Sequence, residues 1–359
     1  METEIRKVAA GKKKKIPTDD SKLGFGKHFS DHMFCMDYES GKGWHSPRIE
    51  PHRPLQLDPA SMVLHYGQEV FEGLKAYRGE DGGVYLFRHR DNLARFNRSC
   101  KRMVIPQLDL ELVSAALKKL VLLDRDWIPT GPGCSLYIRP NVIAVDPFLG
   151  VRPSDRYLFY IICGPVGAYY AEGFNPISIY VADKFVRAVK GGVGEAKTGG
   201  NYAASLYAQK EAQEKGFSQV LWLDAKERKF VEEVGTMNIF FRFNDEVLTS
   251  PLTGSILPGI TRDSVIKLLA EWGVKLSERM FSIDEVIAAQ QDGSLREVFG
   301  AGTAAIIAPV AKFHYQGTNY QVADGRTGEL SRKLYDFLLD LQYGRREDDF
   351  GWVERIDPA

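Results

Sequence analysis

Between Gly191 and Gly200 the chain places five glycines in ten residues, with one lysine, Lys197, between two glycine pairs. Neither a helix nor a strand tolerates so many glycines, because glycine loses more backbone freedom on ordering than any other residue. The segment is therefore a loop, and its missing side chains let a ligand approach the backbone closely. The helix expected beyond it, Ala203 to Lys215, stops at Gly216.

The 359 residues suffice for roughly two domains of about 150 residues each. Residues 1–24, which include the run Lys12 to Lys15, read as a mobile basic tail. Residues 25–166 mix short strands with helices and form the expected small N-terminal α/β domain. Val84–Phe87 reads as a strand ahead of a helix from Asn92 to Met103. Leu110, Val113, Leu117, Leu120 and Val121 recur at helical spacing. Ser135–Ile138 and Tyr157–Cys163 are rich in β-branched and aromatic residues, hence strands. Residues 167–176, rich in glycine, proline and tyrosine, are the expected interdomain loop, and 177–359 the larger C-terminal domain. There Ile177–Ala182 and Gln219–Asp224 read as strands, and Phe240–Phe243 and Val247–Thr249 as a hairpin around Asn244-Asp245. Helices are expected at Val265–Trp272 and Leu330–Leu341. The elements intermingle without regular βαβ alternation, so the fold class is α+β.

Lys and Arg number 47, as do Asp and Glu, so no global field attracts nucleic acid or an acidic membrane. No apolar run reaches the roughly 18 residues of a membrane span. Cys35, Cys100, Cys134 and Cys163 lack the spacing of a zinc site or disulfide framework, so no metal is expected and the location reads as cytoplasmic. Cys100 shares a helix with Arg98, Lys101 and Arg102, which would lower its pKa if it were exposed.

Two chemistries fit the lysine loop. Gly191-x-x-x-x-Ala196-Lys197-Thr198 approximates a phosphate loop, but Ala196 stands where the second glycine belongs, and Gly199-Gly200-Asn201 interrupts the helix that should follow. The other is a lysine that condenses with an aldehyde, as in pyridoxal phosphate chemistry. Such a site further needs a carboxylate for the pyridine nitrogen, a donor for the ring oxygen, a phosphate cup and a carboxylate-binding group.

The order of several motifs carries a resemblance. They are Leu64-His-Tyr66-Gly-Gln-Glu-Val-Phe71-Glu-Gly73, Phe87-Arg-His-Arg-Asp-Asn-Leu-Ala-Arg95, Tyr137-Ile-Arg139-Pro140, Lys197-Thr-Gly-Gly-Asn-Tyr202, Glu233-Val-Gly-Thr-Met-Asn238, Leu257-Pro-Gly-Ile-Thr-Arg262 and Gly300-Ala-Gly-Thr303-Ala304. From about Phe25 to Gly344 the chain resembles the fold-type IV pyridoxal phosphate enzymes, and within them the branched-chain amino acid aminotransferases. The resemblance implies a two-domain fold-type IV structure and pyridoxal 5′-phosphate as cofactor. It implies a ping-pong transfer of the amino group of leucine, isoleucine or valine to 2-oxoglutarate. D-amino acid aminotransferase and aminodeoxychorismate lyase share this chemistry but are not expected to carry Tyr137-Ile-Arg139-Pro140. A nucleotide-binding protein is the reading from another class.

By the same resemblance Lys197 forms the Schiff base and carries the proton. Glu233 faces the pyridine nitrogen and Tyr202 the ring oxygen. Arg95, Ile260, Thr261 and Thr303 hold the phosphate, and Leu257 packs on the ring. The helix is expected to begin near Arg262. Phe29, Phe71, Tyr137 and Tyr202 line the substrate pocket, with Arg139 for the side-chain carboxylate of glutamate. The amides of Thr303 and Ala304 take the α-carboxylate. Tyr66 and Val151 reach the site from a neighbouring subunit, implying a homodimer, and Tyr169 and Tyr170 close over the substrate. Some relatives carry a CxxC pair where this chain has Ala305 and Ala308, so that thiol switch is missing here.

Overall fold

The structure, a computed structural model, describes residues 1–167 and 174–357. The chain forms two compact units. One comprises Met1–Ala171, Ala196–Gly199 and Leu339–Ala359, the other Glu172–Glu195 and Gly200–Leu338. The expected loop 167–176 falls largely, with Tyr169 and Tyr170, outside the described residues.

The first unit is built on a nine-stranded sheet. At its centre Ser135–Ala144 and Arg156–Val166 pair antiparallel, from Ser135 opposite Val166 to Ala144 opposite Tyr157. His32–Glu39 and Gly43–Pro51 extend the sheet on one side, and Leu74–Arg78 and Val84–Phe87 on the other, while Glu69–Phe71 pairs with Ser135–Ala144. The helix Leu110–Leu123 starts where the Asp109 side chain accepts the amides of Glu111 and Leu112, satisfying donors the helix leaves unpaired. It buries Val113, Leu117, Leu120 and Val121 in the core that also takes Leu136, Ile138, Phe159 and Ile161 from the sheet.

Both chain ends depart from the expectation. Residues 1–24 are no mobile tail: Glu4–Ile5 pairs parallel with Gly43–Pro51, the Arg6 amide donates to the Ile49 carbonyl at 2.8 Å, and Leu23 is buried. At the other end Val353–Arg355 pairs antiparallel with Val84–Phe87, and Trp352 meets Phe87 edge-on at 5.9 Å, so residues 339–359 belong to the first unit. Both are short edge additions, which sequence periodicity does not reveal.

In the second unit six strands pair in a closed ring. Ile177–Val181, Gln219–Leu223, Val231–Val234, Met237–Arg242, Glu297–Gly302 and Ile306–Tyr315 follow one another around it. Gly235 and Thr236 alone join Val234 to its partner Met237. Gly235 has φ 55°, and a Cβ there would sit 2.0 Å from Gln219 Oε1, so this tight turn requires glycine. The helix expected at Ala203–Lys215 spans Leu206–Glu214, and a separate short helix, Gly199–Ala203, precedes it. The second piece buries Ala208 and Ala212 with Val220 and Trp222 of the sheet.

Candidate functional site

In the first unit the helix His89–Arg102 carries two stripes. Leu93, Phe96 and Cys100 enter the apolar core. One residue behind each stands Asn92, Arg95 or Ser99, so these polar groups share a neighbouring face at i, i+3 and i+7, all buried. Their counterpart is Glu72, 0% exposed. Its carboxylate accepts Arg95 Nε at 2.7 Å and Nη2 at 2.9 Å, Asn92 Nδ2 at 3.1 Å and the Gly73 amide at 2.9 Å. Ser99 Oγ accepts the Lys197 amide at 2.9 Å.

Lys197 is gripped from its other side as well. The Phe71 amide donates to the Lys197 carbonyl at 3.0 Å, and Thr198 Oγ1 donates to the Glu69 carbonyl at 2.8 Å. The Glu69 carboxylate accepts the Gly199 amide and, at 3.3 Å, Asn141 Nδ2. A Cβ on residue 199 would lie 2.7 Å from Glu69 Oε1, so glycine there lets the strand and the lysine loop touch. With its backbone fixed, Lys197 extends its Nζ over the Phe71 ring, 4.8 Å from the centroid.

The two acidic groups of this cluster shift in opposite directions. Burial by itself would raise the Glu72 carboxyl. The charge and hydrogen bonds of Arg95, with the nearby charge of Lys197, outweigh that and hold it below its ordinary value. Among the described residues Glu69 has hydrogen bonds but no ion pair, and burial pushes its carboxyl up.

Beside this cluster lies a cavity of ≈ 260 Å³, lined among others by Phe25, His28, Phe29, Tyr137, Arg139 and Cys163. Arg139 Nη2 donates to the Tyr137 hydroxyl at 3.1 Å, and its guanidinium stands 4.7 Å from the Phe71 ring centroid. Among the described residues, buried Arg139 Nε has no hydrogen-bond partner. Tyr66 and Val151 are both exposed, Val151 85%.

In the second unit Glu233 sits on Val231–Val234 and is buried, not a solvated turn residue. It forms an ion pair with Arg187 and accepts Asn238 Nδ2 at 3.2 Å. The same amide group donates to the Leu257 carbonyl at 3.0 Å, so Asn238 ties Glu233 to Leu257. Arg187 also donates to the Ser255 carbonyl. Tyr202, Glu233, Leu257 and Arg187 line one small hollow. The helix Ile260–Glu271 starts two residues before the expected Arg262, and its cap residue Gly259 offers no side chain to its amides. Ile260 and Thr261 are thus its first two residues, at the end where backbone amides favour an anion. Thr303 and Ala304 form the turn between Glu297–Gly302 and Ile306–Tyr315. Ile306, at the end of that turn, has φ 62°, a strained conformation for a β-branched residue.

The phosphate-loop reading fails on local structure. Residues 190–195 form turns, nine residues beyond the strand Ile177–Val181, and the helix Gly199–Ala203 spans five residues. Cys100 is 0% exposed, and burial pushes its thiol well up, the reverse of the lowering its basic neighbours suggested. Glu69, Glu72, Ser99, Arg187 and Asn238 were not singled out from the sequence. The spacing of Asn92, Arg95 and Ser99 held a signal for the buried polar face; Arg187 had none.

The family model described as "Amino-transferase class IV" matches residues 69–313. Branched-chain-amino-acid aminotransferase 2 of Bacillus subtilis (strain 168) is 56% identical over 343 residues, covering 96% of this chain and 94% of that protein. Branched-chain-amino-acid transaminase 1 of the same organism is 56% identical over 339 residues, covering 94% and 95%. Among solved structures, the branched-chain amino acid aminotransferase of Escherichia coli superposes with a TM-score of 0.75 at 29% identity, covering 91% of this chain and 99% of that one. The branched-chain aminotransferase of the thermophilic archaeon Thermoproteus uzoniensis, solved with norvaline, gives a TM-score of 0.74 at 26% identity, covering 90% and 100%.

Proposed function

We propose, from the premise that the chain belongs to the class IV aminotransferase family, that it transfers the amino group of leucine, isoleucine or valine to 2-oxoglutarate. The products are the branched 2-oxo acids and glutamate, in a reversible ping-pong reaction. Relatives with more than half their residues identical carry branched-chain aminotransferase names, which supports the substrate class. The observation that carries it is the aromatic-walled cavity with Arg139 in its lining and Arg139 Nε unpartnered. Apolar walls suit a branched aliphatic side chain, and an arginine fork suits the second carboxylate of glutamate. One pocket can thus serve both substrates in turn.

The family is pyridoxal phosphate-dependent, and the residues present fit that cofactor. A buried carboxylate paired with an arginine suits a protonated ring nitrogen, and a helix start without a side-chain cap suits a phosphate. Bound pyridoxal phosphate supplies an aldehyde for the amine and a ring that accepts electrons. Glu233 would hold the ring nitrogen, Tyr202 the ring oxygen and Leu257 the ring face. Arg95, Ile260, Thr261 and Thr303 would hold the phosphate, and the amides of Thr303 and Ala304 the α-carboxylate. Lys197 Nζ would be the base that takes the proton from the substrate α-carbon. Its backbone hydrogen bonds to Ser99 and Phe71 fix the origin of that motion.

The active form we propose is a homodimer. Leu64, Tyr66, Val104, Phe148, Leu149 and Val151 are all exposed. The Tyr66 hydroxyl donates to the Leu149 carbonyl and the Phe148 amide to the Ala60 carbonyl, so their segments adjoin. Apolar exposure on this scale marks an interface, from which Tyr66 and Val151 would reach the partner's site. Among the described residues no helix is long and apolar enough to cross a membrane. The four cysteines, all buried, suit a reducing, cytoplasmic location.

The test is a substrate panel. Purified protein with pyridoxal phosphate and 2-oxoglutarate should form glutamate from L-leucine, L-isoleucine and L-valine. Turnover of D-amino acids instead, or release of pyruvate from aminodeoxychorismate, would replace the reading by one of the two related activities.

A further inference from the structure

The run Lys12 to Lys15 has no part in the reading above, yet the arm that carries it is knitted into the first unit. The Val8 amide donates to His32 Nε2 at 2.9 Å, which leaves Nδ1 as the donor to Asp124 Oδ1 at 2.6 Å. Lys14 binds at both ends. Its amide donates to Asp31 Oδ1 at 2.8 Å, and its Nζ donates to the carbonyls of Ser30 at 2.8 Å and Phe29 at 3.2 Å. A compact ammonium with three donors can serve two adjacent carbonyls at once.

The segment so gripped is a wall of the cavity. Phe29 lines it and is 38% exposed, so the apolar core does little to fix its ring. The ring stacks on His52 at 5.4 Å, and the His52 amide donates to the Asp31 carbonyl at 2.8 Å. Trp127 Nε1 donates to Asp31 Oδ2 at 3.1 Å, and the Ser30 amide to the Cys163 carbonyl at 2.8 Å. Together these contacts hold residues 29–31 through backbone and side chains, and Lys14 holds two of the backbone carbonyls and one oxygen of the Asp31 carboxylate.

We propose that the N-terminal arm is a specificity element and that Lys14 is a positioning residue, setting the Phe29 wall against which the substrate side chain packs. This rests on the reading of the cavity as the side-chain pocket. Lys14 touches neither substrate nor cofactor; it acts through the carbonyls of Phe29 and Ser30.

The experiment compares Lys14→Ala and Lys14→Met with Lys13→Ala in the full-length holoenzyme. Both Lys14 variants should raise KM for leucine by about 3- to 10-fold while kcat and the visible band of the bound cofactor stay as in wild type. Lys13→Ala should match wild type. Hydrogen exchange followed by mass spectrometry should show faster exchange over residues 25–33 in the Lys14 variants alone. An unchanged KM, an equal effect of Lys13→Ala, or unchanged exchange over 25–33 overturns the proposal. If the wild type converts no leucine, the reading of the pocket has failed, and the exchange data still decide whether Lys14 holds the wall.

Discussion

Replacing Arg139 by leucine should separate the two substrates of the proposed pocket. In the structure Arg139 gives Nη2 to the Tyr137 hydroxyl at 3.1 Å and keeps a buried Nε without a partner. Its guanidinium also lies 4.7 Å from the Phe71 ring centroid and 5.2 Å from that of Tyr137. Losing those ring contacts costs about 0.5–1 kcal/mol each. That loss reshapes the pocket for leucine and glutamate alike, so it largely cancels in the ratio of their kcat/KM values. What should not cancel is the proposed charge-assisted contact to the side-chain carboxylate of glutamate, worth about 1.5–3 kcal/mol. The glutamate-to-leucine ratio should therefore fall roughly 10- to 150-fold. The assay follows the cofactor's visible band as each amino acid is added under single-turnover conditions. A ratio within about twofold of wild type would refute the argument, assigning Arg139 to pocket structure or to the α-carboxylate both substrates share.

Lys197→Ala should abolish turnover of every amino acid, because the proposed mechanism gives it alone both the link to the cofactor and the proton; residual wild-type rates would sink the assignment. Glu72→Gln leaves the buried Arg95 without its counter-charge and should destabilise the apoprotein by about 3–5 kcal/mol, read from urea denaturation. Glu69 predicts a pH effect of known sign. Its folded pKa lies above its ordinary 4.5, so the native state binds the proton more tightly and this group favours folding as pH falls through that raised value towards 4.5. Glu69→Gln should flatten stability against pH in that window, and identical profiles for variant and wild type would contradict the assignment. Native protein should resist mild peroxide and thiol alkylation. Burial pushes Cys35 up to about 12 and Cys100 and Cys163 well up, and Cys134 is buried. Rapid labelling of Cys100 before unfolding would show the helix to be open.

Several features were legible because they are local. The glycines from Gly191 to Gly194 mark the turns ahead of Lys197 whatever the rest of the chain does, whereas Gly199 and Gly200 open a short helix. The 3.6-residue repeat of Leu110–Leu123 and the Asn244-Asp245 hairpin depend on neighbours a few residues away. The ordered motifs likewise pointed to the family and the cofactor class. Tertiary structure decided what depends on partners far along the chain. Nothing near Arg187 announces that it pairs with Glu233, 46 positions on. Glu72 reads as an ordinary acidic residue until Asn92 and Arg95 converge on it from another element. Lys12 to Lys15 read as a solvated charge run because sequence shows charge but not the two carbonyls that Lys14 finds fifteen and sixteen residues away. Cys100 does not meet the exposure on which a lowered pKa depended, for the same reason: basic neighbours are visible in sequence, whereas burial, the largest effect, arises only when the helix packs on its sheet.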